Sequence, residues 1–356
     1  MLTLLLFLLL LSLIVVIHEF GHLIAAKAFG VYCHEFSLGM GPKIFSKKFK
    51  ETTYSLRAIP MGGFVAMAGD NDNALETSVD VEVPVERTLL GIAPWKKIII
   101  MLAGIFMNII LAIFIVAMVL LSNGQYGISP DTTIETVMVD SPAEKAGLEA
   151  GDKIIELSFE NGASSKPETL DDLKTFLLGY DGNGPIEVKV LDIEGNERIC
   201  ELVPEYSEEY QSYMLGITSS NIKVVEVNFF NCWYYALDYC FFVLRTIFMS
   251  LSQLIRGIGL QNLSGPVGIY QATEQAASMG PQTYFMMMAV ISLNVGIFNA
   301  LPLPIMDGGR VVITLVEMII GHPISKKMEE SLMTASMLLL LALVVYATFQ
   351  DLTKLF

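Results

Sequence analysis

Apolar positions along the chain collect into four long runs, at residues 2–29, 98–121, 283–303 and 331–349. Each is long enough, coiled as a helix, to cross the roughly 30 Å hydrocarbon core of a bilayer. A fifth apolar and aromatic stretch, 229–255, also carries Asn231, Asp238, Arg245 and Gln253, with Arg256 just beyond it. That mixture predicts an amphipathic helix lying in the membrane interface. Between the first two runs the period changes. Residues 31–69 alternate in short stretches broken by glycine, the pattern of a small β-sheet with tight turns. Residues 70–86 form a polar, acidic linker. Between the second and fifth runs the pattern is that of a small α+β module. A strand at 132–139 leads to a short helix, a glycine turn and a second strand; an amphipathic helix at 168–178 and a hairpin at 187–203, turning at Glu194-Gly195-Asn196, follow.

The predicted order is a first transmembrane helix at 1–30, a membrane-associated β-sheet at 31–70, a linker at 71–94 and a second span at 95–122. An inserted module at 123–220, an interfacial helix at 228–257, a third span at 281–304 and a fourth at 328–350 complete it. The fold class is a polytopic α-helical membrane protein of about four spans, with a small cytoplasmic-side sheet and an inserted extracytoplasmic α+β domain.

Composition agrees. Of 356 residues, 53% are hydrophobic and 17% charged, with a mean hydropathy of +0.56; soluble domains carry about 25% charge. The net charge of −15 is concentrated in residues 123–227, where 21 acidic and 7 basic residues leave −14. No basic surface supports nucleic-acid binding. Cys33, Cys200, Cys232 and Cys240 form no C-x-x-C motif and read as small apolar fillers. Ala26-Lys27-Ala28 resembles a signal-peptide cleavage site, but no positive segment precedes the apolar run, so the run is expected to be retained.

Lysines 43, 47, 48 and 50, with Arg57, Lys96 and Lys97, lie between the first two spans. That side is therefore expected to be cytoplasmic, with the N-terminus and the inserted module outside. An odd number of crossings must then precede Arg310, Lys326 and Lys327 for these to be cytoplasmic. Parity thus favours an interfacial 229–255 and four crossings.

The chemistry is concentrated in His18-Glu19-Phe20-Gly21-His22, inside the first apolar run. In a helix, His18 and His22 lie one turn apart on one face, where both can hold one metal ion. Glu19 projects about 100° away, placed to reach a water on that metal without ligating it. This is the H-E-x-x-H pattern of two zinc ligands and a general base. Ionisable groups in a membrane span are costly, and by default they mark a functional site. A catalytic zinc usually keeps three protein ligands. His34 follows the first span too closely to fold back, and His322 precedes a proline in a turn. Asp307 is the better third ligand: it ends the third span at matching depth, after Pro302 and Pro304 break the helix, and Gly308-Gly309 free its backbone to turn.

These motifs, with Asn299-x-x-Pro302-x-Pro304-x-x-Asp307-Gly308-Gly309 and Gly104-Ile-Phe-Met-Asn108, resemble the site-2 protease family, and within it the bacterial RseP and RasP type. The resemblance covers essentially the whole chain, including Leu263-Ser-Gly-Pro-Val-Gly. It implies an intramembrane zinc metalloprotease of the bacterial plasma membrane, with Zn2+ on His18, His22 and Asp307 and Glu19 as catalytic base. Asn108, Asn294 and Asn299 would hold the substrate backbone. Met306 stands where the family most often has leucine. Partners implied are single-pass transmembrane substrates and the lipid bilayer: trimmed anti-sigma factors, remnant signal peptides or pheromone precursors. Within the module, S-P-A-x-x-A-G-L-x-x-G-D at 141–152 resembles a PDZ domain, with Met214-Leu215-Gly216-Ile217 as a late carboxylate-binding loop in a permuted order. Members of RseP type carry two PDZ domains; this chain has room for one. Intramembrane His, Glu and Asp also suit a metal or proton transporter, although no internal repeat of transporter type is visible.

Overall fold

The computed structural model describes residues 2–70, 83–160, 162–207, 212–219, 222–255 and 263–353. Most of the expected acidic linker, and Arg256, lie outside the described residues. The chain divides into two compact units, residues 1–119, 233–244 and 261–356 in one and 120–232 and 245–260 in the other.

Five described helices are long and apolar enough to cross a membrane: α1 (Leu2–Ala28), α2 (Pro94–Asn123), α5 (Cys232–Ile255), α7 (Pro281–Asn299) and α9 (Lys326–Thr353). The protein is thus a multi-pass membrane protein. Four of these helices are the expected spans; α5 is the aromatic stretch assigned above to the interface.

In the first unit, β1 (Cys33–Phe49) and β2 (Thr52–Met67) pair antiparallel. Both strands bend, so the first half of β1 is paired along both its edges. Phe36 lies opposite Val65 and Tyr54, and Leu38 opposite Gly63 and Leu56, while Lys48 lies opposite Thr53. The result is a four-stranded layer with residues 63–67 at one edge and 43–49 at the other. Gly39 and Gly41, with φ of 84° and 82°, make the bend in β1, a conformation open to glycine at little cost. The layer runs alongside α1. Lys27 Nζ donates to the Tyr54 hydroxyl (3.1 Å), and Ser12 Oγ donates to the Pro60 carbonyl (2.5 Å). At 1.5 Å per residue, the stretch of α1 between Ser12 and Lys27 is roughly 22 Å long. Leu23 and Ala26 of α1, Cys33, Phe36 and Val65 of the sheet, and Ile100 of α2 share one buried core. Burial there pushes the Cys33 thiol up to about 12, as suits an inert filler.

Two helices were not anticipated: α6 (Pro266–Met279) and α8 (Asp307–Ile320). The start of α6 is tied to the end of α9, because buried Asp351 accepts hydrogen bonds from the backbone N–H groups of Gly265 (2.9 Å) and Gly268 (2.7 Å). This contact accounts for the glycines of Leu263-Ser-Gly-Pro-Val-Gly: a Cβ at either would stand within 2.9 Å of an Asp351 oxygen. Pro302 and Pro304 end α7, and α8 begins at Asp307 itself. Gly308 and Gly309 are packed against the carbonyls of Ala300 and Leu303, where a Cβ would overlap them.

The second unit contains β3 (Gln125–Ile128), β4 (Thr136–Val137), α3 (Pro142–Lys145), β5 (Lys153–Phe159), β6 (Ser164–Ser165) and α4 (Leu170–Leu177), followed by β7 (Ile186–Leu191), β8 (Glu197–Leu202), β9 (Glu205–Ser207), β10 (Ser212–Met214), β11 (Ile217–Thr218) and β12 (Lys223–Glu226). Strands β6-β5-β7-β8 form an antiparallel sheet around a core that includes Ile154, Leu157, Phe176, Ile186 and Val188. The α4 helix starts in a capping box between Thr169 and Asp172. The expected hairpin is β7–β8, with Asp192 accepting from the N–H groups of Glu194 and Asn196. Of the strand expected at 132–139, only Thr136–Val137 is regular; Thr133 forms a single bridge with Lys153. Gly216, at φ 82°, precedes β11, which pairs with β4. β3 and β12 pair with Gln125 opposite Glu226, so the unit's entry and exit strands lie side by side.

Candidate metal centre

The helical reading of residues 18–22 holds: α1 is continuous through them, and His18 and His22 are 6% and 5% exposed. Asp307 reaches them from the first position of α8. His18 Nε2 lies 2.9 Å from Asp307 Oδ2, His22 Nε2 lies 3.2 Å from the same oxygen, and the two Nε2 atoms are 3.2 Å apart. Among the described residues, this is the one cluster of three or more His, Cys, Asp or Glu side chains whose ligand atoms converge closely enough to hold an ion.

The donor set fits zinc. Two imidazole nitrogens and a carboxylate oxygen are zinc's usual ligands, and a tetrahedron with bonds near 2.0–2.1 Å has edges of about 3.3 Å. The observed triangle is close to that size. The backbone of α2 makes room for it: a Cβ at Gly104 would stand 2.6 Å from His22 Nε2 and 2.8 Å from His18 Nε2. On the other side of the crossing, Gly21 packs directly against the Ala103 carbonyl. Small residues at both contacts let the two helices approach closely.

Glu19 does not join the triangle. Its Oε2 accepts a hydrogen bond from the Val65 N–H (3.2 Å), at the edge strand of the sheet. Histidines, Glu19 and Asp307 line a cavity of about 360 Å³ that also takes in Phe64, Asn299 and Arg310.

The three asparagines separate. Asn299 lines the cavity. Asn294 donates from Nδ2 to the Val290 carbonyl of its own helix (3.1 Å). Asn108 is fully buried behind His18, with Nδ2 3.3 Å from His18 Nδ1. His34 sits edge-on to Tyr32, and exposed His322 contacts the Pro323 carbonyl; neither approaches the cluster. Sequence reasoning missed Arg310 as part of the cavity wall. Arg310 follows Asp307 at i+3, on the same face of a helix that was not expected, so its position was hidden with the helix.

A family model described as Peptidase family M50 matches residues 6–343. A relative from Clostridium perfringens, provisionally named a zinc metalloprotease, is 33% identical over 345 residues, covering 96% of this chain and 95% of its own. The zinc metalloprotease RasP of Shouchella clausii is 30% identical over 431 aligned positions, covering 99% of both chains. A protein of Fusobacterium nucleatum with a similar provisional name is 31% identical over 351 residues, covering 97% of both. With a site of zinc-binding composition, two of its residues in a helix long and apolar enough to cross a membrane, and a match over nearly its whole length, the chain belongs to peptidase family M50, the site-2 proteases, and is an intramembrane zinc metalloprotease.

Proposed function

We propose that His18, His22 and Asp307 are the zinc ligands, that Glu19 is the catalytic base, and that the enzyme hydrolyses a peptide bond in or beside the transmembrane segment of a single-pass substrate. The observation that carries this reading is the convergence of the three ligand atoms at 2.9–3.2 Å, with Glu19 on the wall of the same cavity. Zinc bound there supplies Lewis-acid polarisation of the scissile carbonyl and lowers the pKa of an attacking water. Glu19 takes the water proton on its carboxylate and delivers it to the leaving amide nitrogen. The Val65 N–H holds Glu19 Oε2, which fixes the carboxylate beside the ligands without tying it to them.

A substrate helix hides its carbonyls in i→i−4 bonds and must be drawn out before attack. Residues 63–67 offer the means. They form an edge of the sheet, and Phe64, Val65 and Met67 line the cavity. An extended substrate segment can add there as a further strand, with Asn299, on the wall of the same cavity, to pair with its freed backbone. The contact of Pro60 with Ser12, midway along α1, supports a position for the neighbouring edge within the hydrocarbon layer. The positive residues of the sheet favour a cytoplasmic position for the active site, with the acidic unit on the outside. That unit's order of elements supports a single PDZ-like domain that screens substrates by the size of their outer parts. The substrate classes are those implied for the family: trimmed anti-sigma factors and remnant signal peptides.

The test pairs zinc content with cleavage of a transmembrane test substrate in detergent, comparing wild type with Glu19→Gln. Cleavage is expected to fall by at least a thousandfold while zinc remains bound at one per chain. Cleavage by Glu19→Gln at the wild-type rate rejects Glu19 as the base.

A further inference from the structure

His18 and His22 turn Nε2 toward each other and toward Asp307. An imidazole that offers Nε2 to a metal carries its proton on Nδ1, and the partner of that proton sets both tautomer and ring orientation. For His22 the partner is a main-chain acceptor: Nδ1 lies 2.8 Å from the Ile100 carbonyl. For His18 the group facing Nδ1, at 3.3 Å, is the carboxamide of Asn108.

Asn108 is fully buried, and its Oδ1 has no hydrogen-bond partner among the described residues. With the amide nitrogen toward His18, two donors oppose each other once Nδ1 is protonated. Turned through 180°, the carboxamide presents Oδ1 as an acceptor. The two ends of a carboxamide are told apart by their partners, and a proton on His18 Nδ1 selects the second orientation.

We propose that Asn108 is a positioning residue of the metal centre, accepting a hydrogen bond from His18 Nδ1–H, and not a contact for the substrate backbone. This rests on the assignment of His18, His22 and Asp307 as zinc ligands. The backbone is braced for such a role. Ser292 Oγ donates to the Asn108 carbonyl (2.8 Å), and a Cβ added at Gly296 would stand 3.5 Å from the Asn108 Cβ, so α7 passes close to this turn of α2. One turn earlier, Gly104 provides space for both rings. A single face of α2 therefore admits the histidines at one turn and orients one of them at the next.

The test uses the full chain in detergent: wild type, Asn108→Leu, Asn108→Asp and His18→Ala. Zinc affinity is measured by competition with a chelator of known affinity. The visible spectrum of the cobalt(II)-substituted protein and a KM-against-kcat comparison on a transmembrane test substrate complete the set. Leucine keeps the number and branching of the side-chain heavy atoms and removes the acceptor, so zinc affinity should fall 10–100-fold and the cobalt spectrum should change. Aspartate restores the acceptor and should recover the affinity. Asn108→Leu with wild-type affinity and spectrum but a raised KM overturns the proposal in favour of a substrate contact. Equal loss in the leucine and aspartate variants overturns it in favour of a packing role. Wild-type zinc affinity in His18→Ala shows instead that the ligand assignment beneath it has failed.

Discussion

Gly104 illustrates how little of a metal centre resides in its ligands alone. In the interior of α2, glycine costs roughly 1 kcal/mol relative to alanine on helix propensity. Gly104→Ala should therefore favour the isolated helix. The added Cβ would nevertheless stand 2.6 Å from His22 Nε2, inside van der Waals contact. We expect Gly104→Ala to retain its helical content while its zinc stoichiometry drops well below one per chain. Circular dichroism and metal analysis on the same sample check this, and full zinc occupancy would refute the steric account. The ligands themselves were more legible. His18, Glu19 and His22 share one turn of one helix, so their relation is contained in local periodicity. Asp307 lies 289 residues from His18, and its proximity followed only from depth in the membrane and from resemblance. The roles of Asn108 and Asn294 were not legible in any local pattern, because a helical position gives a direction and no neighbour.

At the scale of elements, the four long apolar runs corresponded to α1, α2, α7 and α9, since the length of an apolar run is itself the physical requirement for crossing a bilayer. Elements with no such requirement were missed. α6 lies between apolar runs and is fixed by a contact with Asp351, far along the chain; α8 follows two prolines and carries two glycines in its first turn, residues that disfavour a helix. The residues of the sheet were recognised as strands, but the bend that gives β1 two partners depends on Gly39 and Gly41, and register is a tertiary property. Two predictions belong here. Asp351→Ala leaves two N–H groups at the start of α6 without their acceptor, one buried and one part-buried, and the buried one costs about 1–3 kcal/mol. We expect a lower thermal midpoint in detergent with zinc affinity unchanged; an unaltered midpoint would dismiss the brace. Val65→Pro removes the N–H that holds Glu19 and blocks strand addition at that edge. Its kcat/KM should fall at least tenfold with zinc retained, which single-turnover kinetics and metal analysis check together.

At the scale of the whole molecule, the acidic unit is an insertion by construction. β3 and β12 pair antiparallel, with Gln125 opposite Glu226, and Val227 N–H donates to the Gly124 carbonyl. The chain thus leaves and re-enters through adjacent strands, while the unit keeps its own core around Ile154, Leu157, Phe176 and Val188. An insertion closed in this way can be removed without stretching the chain on either side. Replacing residues 129–222 by an Asn-Gly turn would join β3 to β12 as a two-residue hairpin, the connection whose twist suits antiparallel strands. None of His18, Glu19, His22, Asp307 or Asn108 lies in the excised segment, so zinc binding should be unchanged. If the unit screens substrates by the bulk of their outer parts, substrates already trimmed short should be cut at the wild-type rate. Substrates with intact outer domains, refused by the wild type, should now be cut as well. Matched pairs of test substrates differing only in the outer domain read this out. A variant that keeps zinc but still refuses the long substrates would place the selection in the membrane part, at the edge strand 63–67. A variant that loses cleavage of short substrates would instead make the unit a binding platform, and the screening account would be wrong.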